Sequence, residues 1–290
     1  MKIPCREIAD HLRQKLIEEV QALKKSGTSP KLVTILVGSE PEQISFVNIK
    51  KRTGEQIGID FELVHLAEEP SFREFKEIVD KKANDPKTSG IIIQHPFPET
   101  YNAEEIYSII PPKKEIEGHR SDSRFHFPLS IAVLSGVKYI MTREVGETNG
   151  TQTIVNFSKD KAAFQRFLQG KNIVIAGRGI TGGAPIAKAL VDIGISFTVV
   201  HSQTQNPQEI YKSADIIITA TGKKIISRSA VKADVILLNV GLRKEDGKLK
   251  GDYDECEIAE IASYYTQTPG GLGPLDVLYL FKNVIEASKA

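Results

Sequence analysis

The densest chemical signal in the sequence is the run Gly177-Arg178-Gly179-Ile180-Thr181-Gly182-Gly183. It follows an apolar stretch, Asn172 to Ala176, and precedes a helical pattern from Pro185 to Ile193. Strand, G-x-G-x-x-G turn and helix, in that order, are the setting in which such a turn binds a dinucleotide pyrophosphate. The first glycine permits a tight turn and the second lets phosphate oxygens approach the backbone. The helix N-terminus offers amide donors and a positive dipole. A bare glycine turn also serves any loop that needs positive φ; the flanking strand and helix favour the cofactor. The end of the next strand separates NAD from NADP, because an acid there binds the ribose 2′-hydroxyl. That end reads Val200-His201-Ser202-Gln203-Thr204, with no acid. Arg178 lies inside the turn, and a planar cation suits a 2′-phosphate. The combination favours NADP. The plainer alternatives are a solvated loop arginine and a histidine that caps a strand end.

The elements that must position these residues alternate along the chain. Residues 6–25 carry Ile8, Leu12, Leu16, Ile17, Val20 and Leu23 at helical spacing, ended by Lys24-Lys25-Ser26-Gly27. Strands are expected at Lys31 to Gly38, Asp60 to Leu66 and Ser89 to Gln94, with helices at Ser45 to Gly58 and Ser71 to Lys82. A second block opens with a helix from Lys161 to Leu168. It continues through the Asn172 strand, Ser196 to His201, Asp215 to Ala220 and Asp234 to Val240, and closes with a helix from Leu275 to about Ala287. Such alternation predicts crossover units, a mostly parallel sheet and an α/β class. Around residues 120–160 lie the polar stretches His119-Arg120-Ser121-Asp122-Ser123 and Gly146 to Thr153. They read as turn-rich, and the domain boundary is expected there.

Composition removes several function classes. The 290 residues suggest two domains. Lys plus Arg number 38 and Asp plus Glu 37, so a net charge of +1 gives no electrostatic case for nucleic acid or a membrane surface. No apolar run reaches the roughly 18 residues of a membrane helix. The N-terminus turns charged at Lys2 and has no apolar signal core. Cys5 and Cys256 make no disulfide framework and exclude a cysteine zinc site, and the 6 histidines show no metal spacing. The expectation is a cytoplasmic protein without a metal that binds a small molecule.

Several ordered motifs along nearly the whole chain resemble the methylenetetrahydrofolate dehydrogenase/methenyltetrahydrofolate cyclohydrolase family. The family's Tyr-x-x-x-Lys stretch is Phe46-Val47-Asn48-Ile49-Lys50 here, and its G-I-x-V-Q-x-P-x-P strand and loop is Gly90-Ile91-Ile92-Ile93-Gln94-His95-Pro96-Phe97-Pro98. K-D-V-D-G appears as Lys114-Glu115-Ile116-Glu117-Gly118, and G-R-S-x-x-V-G-x-P as Gly177 to Pro185. H-S-x-T is His201-Ser202-Gln203-Thr204, and the late T-P-x-P-G-G-V-G-P is Thr266 to Pro274. The chain departs from the pattern at Phe46, at Glu117 and at Asn239-Val240-Gly241-Leu242, where the family has D-V-G-I. The family's Pro-Cys-Thr-Pro is not recognisable; Thr142 and Thr153 are both candidates for its place.

The resemblance implies a two-domain α/β fold. A folate domain over 1–140, completed by 272–290, would join a Rossmann-type NADP domain over 141–271, and two copies would pair as a homodimer. It implies oxidation of methylenetetrahydrofolate with NADP, then hydrolysis of the methenyl cation to 10-formyltetrahydrofolate. Lys50 is the candidate proton carrier. A free lysine has a pKa of about 10.4, and burial beside neutral donors lowers it by about 2. Gln94 hydrogen-bonds the amine without adding charge, and Glu117 accepts from pterin nitrogens. Phe46 keeps a ring that packs on the pterin but lacks the family hydroxyl. It shares a helix face with Lys50 at i and i+4. Pro96, Gly270, Gly271, Gly273 and Pro274 complete the substrate set. The cofactor set is Gly177, Arg178, Gly179, Gly183, Pro185, His201, Ser202, Thr221, Gly222, Gly241 and Leu242. Read without the family, Lys50 is a surface lysine beside Lys51 and Arg52, Gln94 caps the turn before Pro96, Phe46 is core, and Glu117 is a solvated acid. Two other functions stay in view: a dehydrogenase whose cyclohydrolase is weak or absent, and a non-catalytic folate- or NADP-binding paralogue.

Overall fold

The computed structural model describes residues 1–146 and 153–289. Two compact units divide the chain: residues 12–128 with 277–290, and residues 1–11 with 129–276.

In the first of these, α1 (Cys5–Lys25), whose residues 5–11 belong to the other unit, leads into β1 (Lys31–Val37), α2 (Pro41–Ile57), β2 (Asp60–Leu66), α3 (Phe72–Asn84), β3 (Gly90–Ile93) and α4 (Ala103–Ile109). The strands form a parallel sheet in the order β2-β1-β3, with Ile35 opposite both Val64 and Ile93. β1 is central, and its residues from Leu32 to Val37 are all buried, as expected for a strand covered on both faces. Helix α3 starts on a capping box: the Glu74 N–H donates to Ser71 Oγ at 3.3 Å, and the Ser71 N–H donates back to Glu74 Oε2 at 2.9 Å. One core cluster packs Val33, Ile35, Phe75, Val79, Ile93 and Tyr107. The C-terminal residues also belong to this unit. Asn283 Nδ2 donates to the carbonyls of Ile116 at 2.8 Å and His126 at 3.2 Å.

The other unit contains α5 (Pro128–Glu144), α6 (Phe157–Leu168), β4 (Ile173–Ala176), α7 (Gly183–Ile193), β5 (Thr198–Val200), α8 (Pro207–Ser213), β6 (Ile216–Thr219) and β7 (Ile236–Asn239). A hairpin of β8 (Arg243–Glu245) and β9 (Lys248–Lys250) follows, then α9 (Glu255–Ile258), β10 (Tyr264–Tyr265) and the start of α10 (Gly273–Ser288), which belongs to the first unit from residue 277. The five-stranded parallel sheet has the order β10-β7-β6-β4-β5. Val174, Ile217, Leu237 and Tyr253 share its core. The first residues of the chain extend the β10 edge: the Ile3 N–H donates to Tyr265 O at 2.8 Å.

The expected α/β class and parallel sheets hold. The region 120–160 is not turn-rich throughout, because α5 occupies much of it. Residues 128–137 are all buried, and a helix buried all round has no polar stripe to reveal its period. The two units divide at residue 129, one residue into α5. Residues 1–11 join the second sheet rather than the first. Most of the polar stretch Gly146 to Thr153 lies outside the described residues. Thr142 sits within α5 and donates to Tyr139 O at 2.9 Å; Thr153 is buried.

Candidate active site

Helix α2 buries Gln43, Val47, Gly54 and Ile57, and that face fixes its rotation. A Cβ on Gly54 would stand 3.0 Å from the Phe281 ring, so a larger residue would make the ring give way by a few tenths of an ångström. Phe46 and Lys50 then share a neighbouring stripe. Phe46 is 48% exposed, which removes it from the core. Lys50 is half-buried rather than enclosed.

Gln94 leaves the C-terminal end of β3, where open α/β sheets place their sites. Its N–H donates to Ile35 O at 2.8 Å and extends the β1 pairing by one residue. Its side-chain Nε2 donates to His95 O at 2.8 Å. The amide oxygen is thereby turned to Lys50, whose Nζ donates to Gln94 Oε1 at 2.9 Å. An amide oxygen accepts from either form of the amine and brings no charge. A second tie joins α2 to the same loop, from Gln43 Nε2 to Pro96 O at 3.0 Å.

Glu117 is not a solvated acid, since only 14% of its side chain is exposed. The turn that presents it is built around buried Glu115, whose carboxylate accepts from the Glu117 N–H at 2.9 Å and the Gly118 N–H at 3.0 Å. Gly118 has φ +84°, and a Cβ there would meet Phe125 O at 2.7 Å. Burial pushes the Glu117 pKa up. His119 beside it and the charges of Lys50, His119 and His95 outweigh that and hold the carboxyl below the usual range. His119 Nε2 lies 3.7 Å from Glu117 Oε2, an ion-pair separation rather than a hydrogen bond.

Three residues outside the expected site complete it. Tyr107 on α4, His95 after β3 and His119 after Gly118 form one group of rings. Tyr107 and His119 stack at 4.4 Å between centroids, His95 and His119 stand at 5.3 Å, and His95 meets Phe97 at 4.5 Å. His95 Nε2 and the Tyr107 hydroxyl are 2.8 Å apart. Burial pushes the His95 pKa down to about 4; the charges of His119 and Lys50 act the same way and Glu117 opposes them. Burial also pushes the Tyr107 phenol up. The sequence scatters these residues twelve apart. Their one signal is adjacency to Gln94 and Glu117.

The second group of expected residues gathers at the C-terminal ends of β4 to β7. Gly177 has φ +111°, its N–H donates to Val200 O at 2.8 Å, and a Cβ there would meet Ala220 O at 2.4 Å. A Cβ on Gly183 would stand 2.0 Å from Gly177 O, whereas Gly179 faces open space. Arg178 is exposed. Pro185 is the third residue of α7 rather than its start. At the end of β5, the His201 N–H donates to Thr204 Oγ1 at 2.9 Å, and Ser202 is exposed. Thr221, Gly222, Gly241 and Leu242 form two touching loops. Buried Asp252 fixes them, accepting from the Thr221 N–H at 2.7 Å and the Thr221 hydroxyl at 2.9 Å. A Cβ on Gly241 would stand 2.2 Å from the same carboxylate, and one on Gly222 3.0 Å from Leu242 O. Asn239 ties these loops to Thr268, with Nδ2 donating to Gly241 O at 2.8 Å and Thr268 Oγ1 at 2.9 Å. Asp252 and Asn239 escaped sequence reasoning because they support the loops rather than form them. Gly270, Gly271, Gly273 and Pro274 lie in this unit, between β10 and the first turn of α10.

A dinucleotide fits what this unit shows: an open approach at Gly179, a tight turn at Gly177, a helix N-terminus, and no acid after β5. The unit is of the Rossmann nucleotide-binding class. Residues 151–290 match the family model "Tetrahydrofolate dehydrogenase/cyclohydrolase, NAD(P)-binding domain", and residues 3–117 match the catalytic domain of the same family. A bifunctional protein FolD of Staphylococcus haemolyticus is 35% identical over 98% of this chain and 95% of its own length. That of Oceanobacillus iheyensis is 36% identical with the same coverage. The FolD methylenetetrahydrofolate dehydrogenase/cyclohydrolase of Campylobacter jejuni is similar in structure, with TM-score 0.80, 27% identity, and 100% of this chain and 98% of that one covered. The Trypanosoma brucei enzyme, solved with NADP and an inhibitor, has TM-score 0.77 and 25% identity over 100% of this chain and 97% of that one. The chain belongs to the tetrahydrofolate dehydrogenase/cyclohydrolase family.

Proposed function

We propose that the protein oxidises 5,10-methylenetetrahydrofolate with NADP and hydrolyses the methenyl product to 10-formyltetrahydrofolate. The observation that carries this reading is the Lys50–Gln94 contact of 2.9 Å at the end of β3. It gives an amine a neutral, fixed acceptor, which suits proton transfer. NADP supplies the hydride acceptor when bound. Gly177, Arg178, Gly179, Gly183, Pro185, His201, Ser202, Thr221, Gly222, Gly241 and Leu242 would hold it. Arg178 would pair the 2′-phosphate, and the Gly179 opening and the α7 N-terminus would receive the pyrophosphate.

For the hydrolytic step, the oxygen of a water bonds to the methenyl carbon, and its proton passes to the neutral amine of Lys50. The adduct's hydroxyl then loses its proton as N5 gains one, the carbon–N5 bond breaks, and the formyl group stays on N10. Lys50 returns its proton to solvent. Glu117 would accept from pterin N–H groups, Phe46 would pack on the pterin, and Pro96, Gly270, Gly271, Gly273 and Pro274 would shape the substrate's surroundings. In this reading the folate domain is 1–140 completed by 272–290 and the NADP domain 141–271, in keeping with the family-model matches over 3–117 and 151–290. A cytoplasmic homodimer is part of the same proposal, with light scattering as its check. Among the described residues no helix is long and apolar enough to cross a membrane.

The test is one pair of assays: NADP reduction with methylenetetrahydrofolate, and decay of methenyltetrahydrofolate absorbance. Lys50→Met should lower the hydrolytic rate by about a hundredfold or more, the low end for a lost acid–base group, while NADP still binds. Hydrolysis at the parent rate removes Lys50 from the mechanism.

A further inference from the structure

Tyr107 is buried, and the only hydrogen-bond partner of its hydroxyl among the described residues is His95 Nε2 at 2.8 Å. If Nε2 carried a hydrogen, the phenolic hydrogen would be buried without an acceptor, a costly arrangement. The hydroxyl therefore donates and Nε2 accepts. A neutral imidazole has a single N–H, so the proton sits on Nδ1. That atom has no hydrogen-bond partner among the described residues, so its N–H is left for a water. His95 lies between the two ties of α2 to this loop, from Lys50 to Gln94 and from Gln43 to Pro96 O. The same helix carries Phe46, where the family pattern has a hydroxyl.

We propose that His95, locked by Tyr107 as the Nδ1–H tautomer, donates a hydrogen bond to the water that attacks the methenyl carbon and so supplies the donor that Phe46 lacks. This rests on the cyclohydrolase reading above. His95 gives up no proton in the step; it orients the water's oxygen while Lys50 takes the water's proton. Tyr107 is a positioning residue that acts through His95. The charged or titratable groups facing His95 are Lys50 from α2, Tyr107 from α4, and Glu117 and His119 from the turn after Glu115. Burial among them keeps the imidazole neutral down to about pH 4, so the donor persists across the working range.

Nitrogen-15 spectra of the histidine rings in the intact protein test the tautomer directly. The expected result at pH 7 is a protonated Nδ1 and a bare Nε2 for His95, unchanged down to pH 5.5, with Tyr107→Phe giving a tautomer mixture. His95→Leu should lower methenyltetrahydrofolate hydrolysis by about tenfold and NADP reduction far less. His95→Gln, which keeps an N–H donor, should recover most of the loss. A protonated Nε2, unchanged hydrolysis in His95→Leu, or equal loss of both activities would overturn the inference. A parent protein lacking both activities would instead overturn the functional reading, with the tautomer standing as its own result.

Discussion

Two alanine substitutions in the glycine turn separate packing from phosphate binding. Gly183 is the first residue of α7, and a Cβ there would stand 2.0 Å from Gly177 O and 2.6 Å from Gly177 C. Both obstacles are backbone, so no side chain can swing aside. Reaching even a 3.0 Å contact requires the turn to open by about 1 Å. It cannot open freely: Gly177 is tied to Val200 O at 2.8 Å and closely faces Ala220 O. Overpacking of this kind costs about 1–3 kcal/mol, which is roughly 2–5 °C of melting temperature for a chain this long. Gly183→Ala should therefore lose both stability and NADP affinity. Gly179 has no atom within 4 Å of its virtual Cβ and no positive φ. Gly179→Ala should melt within about 0.5 kcal/mol of the parent. Its methyl would occupy the space through which a pyrophosphate approaches, so NADP should bind about tenfold more weakly or worse, a loss of about 1.4 kcal/mol. Thermal denaturation without cofactor and calorimetric titration with NADP read the two effects separately. Unchanged NADP binding in Gly179→Ala would refute phosphate approach at this turn. A parent-like melting temperature in Gly183→Ala would refute the wedge.

Arg178→Ala should weaken NADP much more than NAD, because only NADP carries the 2′-phosphate; equal losses would assign Arg178 to the pyrophosphate or to loop shape. Phe46→Tyr should raise the ratio of cyclohydrolase to dehydrogenase rates about threefold to tenfold, the worth of one hydrogen bond of about 0.5–1.5 kcal/mol made in the transition state; an unchanged ratio means that the pocket is built around the phenyl ring. His95 makes stability depend on pH. Its pKa is about 4 in the fold against 6.5 for the ordinary group, so between those values the unfolded chain binds more protons and stability falls as pH drops from about 6.5. The full gap is worth about 3 kcal/mol, and partial exposure of the ring reduces it to about 1–2 kcal/mol. Denaturant unfolding of parent and His95→Gln proteins at pH 7 and pH 5 should show the parent losing more; parallel losses would refute the assignment.

Strands and the glycine turn were legible because short-range rules write them. A buried run such as Leu32 to Val37 and a G-x-G-x-x-G between strand and helix each depend on neighbours in sequence. The Phe46–Lys50 face follows from helical spacing, and Gln94 from its place after β3. Helix α5 was hidden because burial on all sides leaves no contrast to read. Helix α4 has only seven residues, too few for a period, though Asn102 caps it by accepting from the Glu105 N–H. Supporting residues were hidden for another reason. Asp252 holds the Thr221 loop from 31 residues away, and Glu115 shapes the turn that the sequence assigns to Glu117. Only the fold gives such residues their partners.

The chemistry asked of Lys50 and Glu117 pulls in opposite directions. In the proposed reading Glu117 accepts from pterin N–H groups as a carboxylate, yet a carboxylate at contact distance from an amine favours the ammonium form. The site separates the two demands in space. The contact position on Lys50 belongs to the Gln94 amide at 2.9 Å. The Glu117 carboxylate instead faces His119 at 3.7 Å, and Lys50 reaches it only as one of several charges that hold its pKa down. A carboxylate held against the ring cluster brings His119 beside it, His119 stacks on Tyr107, and Tyr107 sets the proton on His95. Where the family pattern has one hydroxyl on α2, this chain has an imidazole on the facing loop, aligned through the same residues that hold the acid.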